Sequence, residues 1–140
     1  GIGWGTIGAA MAVYEASLKY SKERIQFDKP IASFQLVQDK LVWMLNEITK
    51  GQLIALQVGK NKDNKTLKFQ QVSLIKRNNV WVARECCKLA RDIHGANGVS
   101  GEYPIMRHLM NIESVYTYEG THDMHTLILG NDITDIPSFE

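Results

Sequence analysis

The sequence predicts an all-α protein, an antiparallel up-down four-helix bundle with an additional short helix. Along three long segments, apolar residues recur at spacings of three and four, which is the period of a helix with one buried face. No segment alternates polar and apolar residues for long enough to form a strand of a sheet. The three prolines fall outside these long segments, so none of them interrupts a helix. Three long amphipathic helices followed by a split fourth are typical of a bundle.

The first predicted helix ends at about Arg24, and the second begins after Ser33. Between them, Pro30 biases Lys29 away from helical backbone. The hydroxyl of Ser33 can cap the second helix, which is predicted to end in a polar turn at 59–65. The apolar stripes of these two helices are Ile7, Ala10, Met11, Tyr14 and Leu18 in the first, and Phe34, Val37, Leu41, Met44, Leu45, Ile48 and Leu56 in the second.

The third predicted helix spans about 67–93, and Gly95 after it suits a left-handed C-terminal cap. A shorter helix is predicted at 103–111. The last helix begins at Thr121, whose hydroxyl can cap it, and ends within 129–133. All these elements fit within one domain of 140 residues.

Composition excludes several classes of function. Hydrophobic residues make up 44% and charged residues 22%, as in ordinary globular proteins. The net charge of +1 gives no reason to expect nucleic acid as a partner, and no apolar run is long enough for a membrane span. The chain starts at Gly1 without a basic, apolar leader, so we expect it to begin at a domain boundary.

The two cysteines, Cys86 and Cys87, are neighbours on the third predicted helix. Adjacent helical residues point in different directions and do not easily meet the geometry of a disulfide. We therefore expect packing residues in a reducing compartment, which is the cytoplasm in a bacterium or the mitochondrial matrix in a eukaryote.

Glu119 is the first candidate for chemistry, because it lies in a glycine turn before the last helix. Backbone N–H groups converge at such a turn, so a carbonyl or a phosphate could lie beside a potential base. Taken alone, a solvated turn glutamate is the commoner case. His122, Asp123 and His125 follow, but their spacing is not that of two imidazoles on one helix face. A capped helix start is favoured there, and no metal site is predicted.

Other candidate residues also have two interpretations. Arg24 either ends a solvated helix or binds a phosphate through both guanidinium nitrogens. The segment 95–98 is more often a helix stop than a ligand loop. Trp4, Phe27 and Trp81 are more often packing or interface residues than platforms for a stacked ligand.

The order of several motifs resembles the C-terminal helical domain of acyl-CoA dehydrogenases, and the resemblance covers almost the whole chain. The motifs are Tyr20-x-x-x-Arg24-x-x-Phe27-x-x-Pro30-Ile31, Gln35, the run Asp92-Ile93-His94-Gly95-Ala96-Asn97-Gly98 and the turn Tyr118-Glu119-Gly120-Thr121. Further segments, at 76–79, 90–92, 107–111 and 117–130, are most like the glutaryl-CoA dehydrogenase branch.

The resemblance implies a flavoprotein oxidoreductase. It implies that an N-terminal helical domain and a β-domain precede 1–140, and that the complete protein is a homotetramer that binds FAD. The implied reaction is α,β-dehydrogenation of an acyl-CoA thioester. In the glutaryl branch, glutaryl-CoA also loses CO2 to give crotonyl-CoA, and electrons pass to an electron-transfer flavoprotein. The isolated chain is expected to be inactive, because most of the cavity for FAD and CoA lies outside it.

The resemblance also implies roles for individual residues. Glu119 is the catalytic base that removes the proton α to the thioester, its own N–H binds the thioester oxygen, and Gly120 contacts the substrate. Arg24 reaches the FAD pyrophosphate of a neighbouring subunit. The full set of implied cofactor-binding residues is Arg24, Phe27, Gln35, Asp92, Ile93, His94, Gly95, Ala96, Thr121 and Phe139.

Two alternatives remain open at the level of sequence. One is another enzyme branch, either a short-chain acyl-CoA dehydrogenase or an acyl-CoA oxidase. The other is a non-catalytic helical module that acts in assembly.

Overall fold

Within residues 1–138, which are the residues described, the computed structural model contains five α-helices. They are α1 (Ile2–Glu23), α2 (Gln35–Asp63), α3 (Phe69–His94), α4 (Ile105–Thr117) and α5 (His122–Thr134). The predicted all-α class is confirmed. None of the helices in this part of the chain combines the length and the apolar character that crossing a bilayer requires.

Helix α3 is the centre of the fold, because it packs against all four other helices. Its buried face includes Val82, Ala83, Cys86, Cys87 and Ala90, none of which has measurable exposure. Around it lie buried residues from the other helices, namely Ile7, Ala10 and Val13 of α1, Leu41, Met44 and Ile48 of α2, and Ile105 and Ile112 of α4. The prediction that both cysteines are packing residues is confirmed, and burial raises the pKa of each thiol to about 12.

One buried side chain joins three helices. Asn79 of α3 donates through Nδ2 to the carbonyl of Gly3 in α1 at 3.0 Å and to that of Gly51 in α2 at 3.1 Å. A Cβ atom on Gly3 would lie 2.6 Å from Ile75, and one on Gly51 would overlap Ile7. Both glycines are therefore required for the close approach that brings their carbonyls to Asn79.

Three predicted boundaries are wrong. Ser33 does not cap α2, because it lies in a 3-10 turn (Ile31–Ser33) and its hydroxyl donates to Pro30 O at 2.8 Å. The polar turn predicted at 59–65 is helical as far as Asp63, and the lysines in this last turn favour the negative end of the helix dipole. The helix predicted at 103–111 begins and ends later, as Ile105–Thr117, because its apolar stripe continues beyond Ile112.

The chain also contains a short hairpin that the sequence does not predict. Strands β1 (Ile25–Gln26) and β2 (Lys29–Pro30) pair antiparallel around the two-residue turn of Phe27 and Asp28. Both turn residues have positive φ, 52° and 60°, as the favoured two-residue hairpin turn requires. Neither is glycine or asparagine, so the usual sequence signal of such a turn is missing.

The C-terminal end of α3 contains a buried histidine. His94 stacks on Tyr20 with ring centroids 4.3 Å apart and meets the edge of Tyr103 at 5.2 Å. Its Nδ1–H donates to Ala90 O at 2.8 Å, and burial lowers the pKa of the imidazole. Gly95 ends the helix with the positive φ expected of it, but its ψ of −132° lies outside the left-handed helical region.

The glycine packing predicts that two glycine substitutions in α2 have opposite effects on stability. Gly51→Ala introduces a methyl group against buried Ile7 and Asn79. Overpacking costs about 1–3 kcal/mol, which exceeds the gain of up to about 1 kcal/mol in helix propensity. At Gly59 a Cβ atom would have no neighbour within 4 Å in the described part of the chain. Gly59→Ala therefore has only the gain in helix propensity. Thermal unfolding should show a lower Tm for Gly51→Ala and an equal or higher Tm for Gly59→Ala. Equal stability of the two variants would contradict the close approach at Gly51.

Burial of His94 predicts a loss of stability in acid. Because its pKa is lowered in the folded state, the unfolded chain binds this proton more tightly. The contribution is fully present above the ordinary histidine pKa of about 6.5 and is lost as pH falls below it. His94→Phe keeps an aromatic ring against Tyr20 but cannot titrate, so its Tm should fall less between pH 7 and pH 5. Parallel falls in Tm for the two proteins would show that His94 is not the source.

Candidate active site and second cleft

Glu119 lies in a strained turn between α4 and α5. Its φ is 53° and that of Gly120 is 86°, so two successive residues have left-handed backbone. Such a conformation costs a glutamate on the order of 1–3 kcal/mol and is often found where function requires it. Thr121 follows at the N-cap of α5, and its Oγ1 accepts a hydrogen bond from Met124 N at 3.1 Å. The predicted capping role of Thr121 is confirmed.

Two side chains hold the three successive carbonyls of this turn. Lys76 of α3 donates through Nζ to Tyr118 O at 2.8 Å and to Gly120 O at 2.5 Å. His125 of α5 lies with Nε2 3.2 Å from Glu119 O, so this nitrogen carries a proton and donates it. Both side chains are buried, Lys76 with 4% and His125 with 9% exposure. The backbone around Glu119 is thus fixed from inside the protein.

Gly120 has to be glycine for two reasons. Its φ of 86° disfavours other residues, and a Cβ atom there would lie 2.9 Å from Nε2 of His125. Burial lowers the pKa of His125, and the positive charge of Lys76 lowers it further. The lowered pKa favours a neutral imidazole, whose Nε2 proton is donated to Glu119 O.

The neighbouring histidine has other contacts. His122 stacks on Tyr116 with ring centroids 4.7 Å apart and an interplanar angle of 10°, and the guanidinium of Arg84 lies 4.7 Å from the centre of the same tyrosine ring. Within 1–138, no group of three His, Cys, Asp or Glu side chains is arranged to hold a metal ion.

A cleft of about 540 Å³ opens beside Glu119. The first residues of α1, the C-terminal part of α2 and the N-terminal part of α3 form its walls. Four polar side chains line the cleft, those of Lys62, Lys76, Glu119 and His125. The rest of the wall is largely apolar and is formed by Ile2, Trp4, Ala55, Val58, Leu67, Val72 and Ile75. The cleft therefore suits a ligand with an apolar chain and a polar group next to Glu119.

Sequence reasoning gave no role to Lys76, although a signal for it exists. Lys76 is in phase with the buried positions Ser73, Val80 and Ala83 of α3. A lysine on the apolar face of a helix is rarely fully buried unless its ammonium group has partners. The sequence suggests no role for His125 beyond a metal ligand or a position in a family motif, and its contact with Glu119 O has no sequence signature.

A second cleft of about 420 Å³ lies at the other end of α3. It brings together six of the residues implied to bind the cofactor, Arg24, Asp92, Ile93, His94, Gly95 and Ala96. Among residues 1–138, Arg24 forms no ion pair, whereas Asp92 pairs with Lys40 and Arg91. Gly95 is exposed, with nothing within 4 Å of the place that a Cβ would occupy. The cleft thus offers an available guanidinium and open backbone, which suit a phosphate-containing ligand.

The remaining implied cofactor residues lie elsewhere. Phe27 is 84% exposed in the hairpin turn and meets Phe34 edge to face, so it is not a core residue. Gln35 is exposed at the start of α2, and Thr121 belongs to the turn of Glu119. Phe139 lies outside the described residues.

Comparison with known proteins supports the resemblance inferred from the motifs. The family model described as "Acyl-CoA dehydrogenase, C-terminal domain" matches residues 1–134. The curated glutaryl-CoA dehydrogenase of Desulfococcus multivorans is 33% identical over 129 residues, which are 91% of this chain and 33% of that protein.

Solved structures agree with the sequence comparison. A crystal structure of glutaryl-CoA dehydrogenase from Mycobacterium smegmatis superposes with a TM-score of 0.97 and 50% identity, over 99% of this chain and 36% of the other. A second glutaryl-CoA dehydrogenase structure from that organism, in complex with FADH2, gives a TM-score of 0.97 and 40% identity over the same shares. The chain spans about a third of the length of the curated relatives it matches. It therefore belongs to the acyl-CoA dehydrogenase family, of which it represents the C-terminal domain.

Proposed function

We propose that this chain is the C-terminal part of an FAD-dependent enzyme that dehydrogenates an acyl-CoA thioester between its α and β carbons. The observation that carries the proposal is Glu119, a carboxylate in a turn fixed from inside the protein, at the edge of a cleft with a largely apolar wall. Removal of a proton from an acidic C–H bond requires a fixed base beside an apolar cleft. The carbon acid itself is apolar, and its carbonyl group must be polarised.

In this reaction Glu119 takes up the α-proton on its carboxylate. The N–H of the same residue has no acceptor among residues 1–138, so it is available to the thioester oxygen, where negative charge develops. Base and oxyanion donor then belong to one residue, and their relative position is set by its backbone. A bound FAD would supply the acceptor for the β-hydrogen and its two electrons, so that the C–C single bond would become the double bond of an enoyl thioester.

The residues of the second cleft fit one part of this cofactor. Arg24 offers a guanidinium that has no ion-pair partner within residues 1–138 and is available to a pyrophosphate, and the exposed backbone of Gly95 and Ala96 permits close approach. His94 has a buried Nε2 with no hydrogen-bond partner in the described chain, and its ring stacks on Tyr20 in the cleft wall. These features support binding of the dinucleotide half of FAD, while Thr121 next to Glu119 is proposed to contact the flavin.

The substrate we propose is glutaryl-CoA, which loses CO2 after oxidation to give crotonyl-CoA. The 33–50% identity to glutaryl-CoA dehydrogenases supports this choice of branch. Electrons then pass to an electron-transfer flavoprotein. We place the enzyme in a bacterial cytoplasm or a mitochondrial matrix, in keeping with its two free, buried cysteines.

The complete protein is proposed to contain an N-terminal helical domain and a β-domain before this chain and to form a homotetramer. Support comes from large apolar side chains exposed on α2, where Val42 is 66%, Leu53 61% and Leu45 50% exposed. Such a surface is expected to be covered in the complete assembly. The chain alone lacks those walls, and we expect it to be inactive.

Glu119→Gln in the complete enzyme removes the base and keeps the size of the side chain. The rate at which glutaryl-CoA bleaches the flavin under anaerobic conditions should fall roughly 10²–10⁴-fold, the usual contribution of a general base. Bound FAD, read from its absorbance, should not change.

The matched control is Glu15→Gln, at an exposed glutamate of α1, which should bleach at the normal rate. Normal bleaching by Glu119→Gln would show that Glu119 is not the base. If the unsubstituted enzyme is bleached by no acyl-CoA, the dehydrogenase function is wrong and the non-catalytic assembly module is favoured.

Arg24→Gln should weaken FAD binding without affecting the base. A charge-assisted hydrogen bond contributes about 1.5–3 kcal/mol, so titration of the apoprotein with FAD should show a Kd higher by roughly 10- to 100-fold. Lys22→Gln, at an exposed lysine two residues earlier, is the control for the loss of one positive charge. An equal effect of the two substitutions would indicate general electrostatics instead of a contact at Arg24.

A further inference from the structure

Lys76 is a buried lysine whose hydrogen-bond partners among residues 1–138 all belong to the turn of Glu119. Its ammonium group donates to the carbonyls of Tyr118 and Gly120, at 2.8 and 2.5 Å, and so holds the residues on both sides of Glu119. Burial lowers the pKa of Lys76, and the nearby carboxylate of Glu119 acts in the opposite direction. Burial of an ammonium group carries a desolvation penalty. An apolar side chain would fill the same space without that penalty.

These two hydrogen bonds set the direction of backbone N–H groups. Every peptide bond in the described chain is trans, so the C=O and N–H of one peptide point in opposite directions. Because Tyr118 C=O points to Lys76, the N–H of Glu119 points away from it. In the same way, the contact of His125 with Glu119 C=O directs the N–H of Gly120 away from α5. The N–H of Glu119 is left without an acceptor in residues 1–138.

Lys76 also has a structural role at the end of α4. Tyr118 is the C-cap of α4, and a lysine near a helix C-terminus stabilises the last carbonyls. That role accounts for the bond to Tyr118 O. It does not account for the shorter bond to Gly120 O, which lies beyond the helix and on the far side of Glu119.

We propose that Lys76 is a positioning residue for the dehydrogenation: by holding the carbonyls of Tyr118 and Gly120, the residues on both sides of Glu119, it directs the N–H of Glu119 towards the thioester oxygen and its carboxylate towards the α-carbon. The inference rests on the proposed function. Lys76 borders the cleft, but its ammonium group donates to the carbonyls of the turn, so in this arrangement it acts through the backbone of Glu119.

The test uses the complete, FAD-loaded enzyme with Lys76→Met, which removes both hydrogen bonds, and Lys76→Gln, which keeps a neutral donor. Lys88→Met is the matched control, since Lys88 is an exposed lysine of the same helix whose partner is Glu85. Four quantities are measured: FAD bound per subunit, Tm, the dissociation constant of acyl-CoA, and the rate constant of flavin bleaching per bound FAD. Exchange of the substrate α-hydrogen with D2O, followed by mass spectrometry, reports proton removal separately.

Misplacement of a base and its oxyanion donor costs on the order of 10²-fold in rate. Lys76→Met should therefore slow both bleaching and α-hydrogen exchange by about that factor, with the acyl-CoA dissociation constant changed less than about threefold. Lys76→Gln should recover about a tenth of the normal rate, because one donor can still reach one carbonyl. Lys88→Met should match the unsubstituted enzyme in all measurements.

The outcomes distinguish a positioning role of Lys76 from a purely structural one. If Lys76→Met lowers only Tm and FAD content, and each FAD-loaded subunit bleaches normally, Lys76 is structural and the positioning role is overturned. Should Lys76→Met fail to fold, the same comparison is made with Lys76→Gln, where a normal rate overturns the role and a slowed rate with unchanged substrate binding supports it. Absence of bleaching in the unsubstituted enzyme would overturn the proposed function together with this inference.

Discussion

The structure depends on buried polar side chains of α3 that donate to backbone carbonyls of its neighbours. Asn79 binds carbonyls of α1 and α2, and Lys76, one turn earlier, binds carbonyls of the turn that carries Glu119. The two residues are one helical turn apart, so the contact that joins three helices and the contact that holds the candidate base share one rigid segment. The position of Glu119 is therefore set directly by the core.

Strain at the turn is a consequence of the same arrangement. Glu119 has the left-handed backbone that glutamate disfavours, and it keeps this conformation because neighbouring residues are fixed on three sides. Lys76 holds the carbonyls on either side, His125 holds the one between, and Thr121 starts α5 immediately afterwards. A free loop would relax to ordinary dihedrals and lose the orientation of its N–H groups.

The sequence predicts what depends on local pattern. Five helices follow from apolar periodicity, and the cap at Thr121 follows from a hydroxyl before a periodic segment. The residues at 59–65 are polar enough to resemble a turn, yet they continue α2 because nothing in them breaks a helix before Asp63. The hairpin at Phe27 and Asp28 is missed because its turn residues have positive φ without being glycine or asparagine.

Contacts between residues that are distant in sequence cannot be predicted from local pattern. The bonds of Lys76 join residues 42 and 44 positions apart, and no local pattern specifies them. Six of the ten residues that line the second cleft, in contrast, form one continuous run from Asp92 to Asn97, so the motif resemblance recovers them. A cleft built largely from one segment is therefore easier to predict from a single sequence than a cleft assembled from four segments.

The two clefts lie at opposite ends of α3, and their separation limits how one cofactor can use them. Lys76 borders the first cleft, and His94 borders the second. At a rise of 1.5 Å per residue, these two residues of α3 lie about 27 Å apart along the helix axis. The short ribityl chain that links a flavin ring to its pyrophosphate cannot span this distance. If Arg24 binds a pyrophosphate and Glu119 serves a flavin, the two clefts of one chain therefore belong to two different FAD molecules. Each cofactor would then need two copies of the chain, so the proposed association would serve the chemistry and would also cover the apolar face of α2.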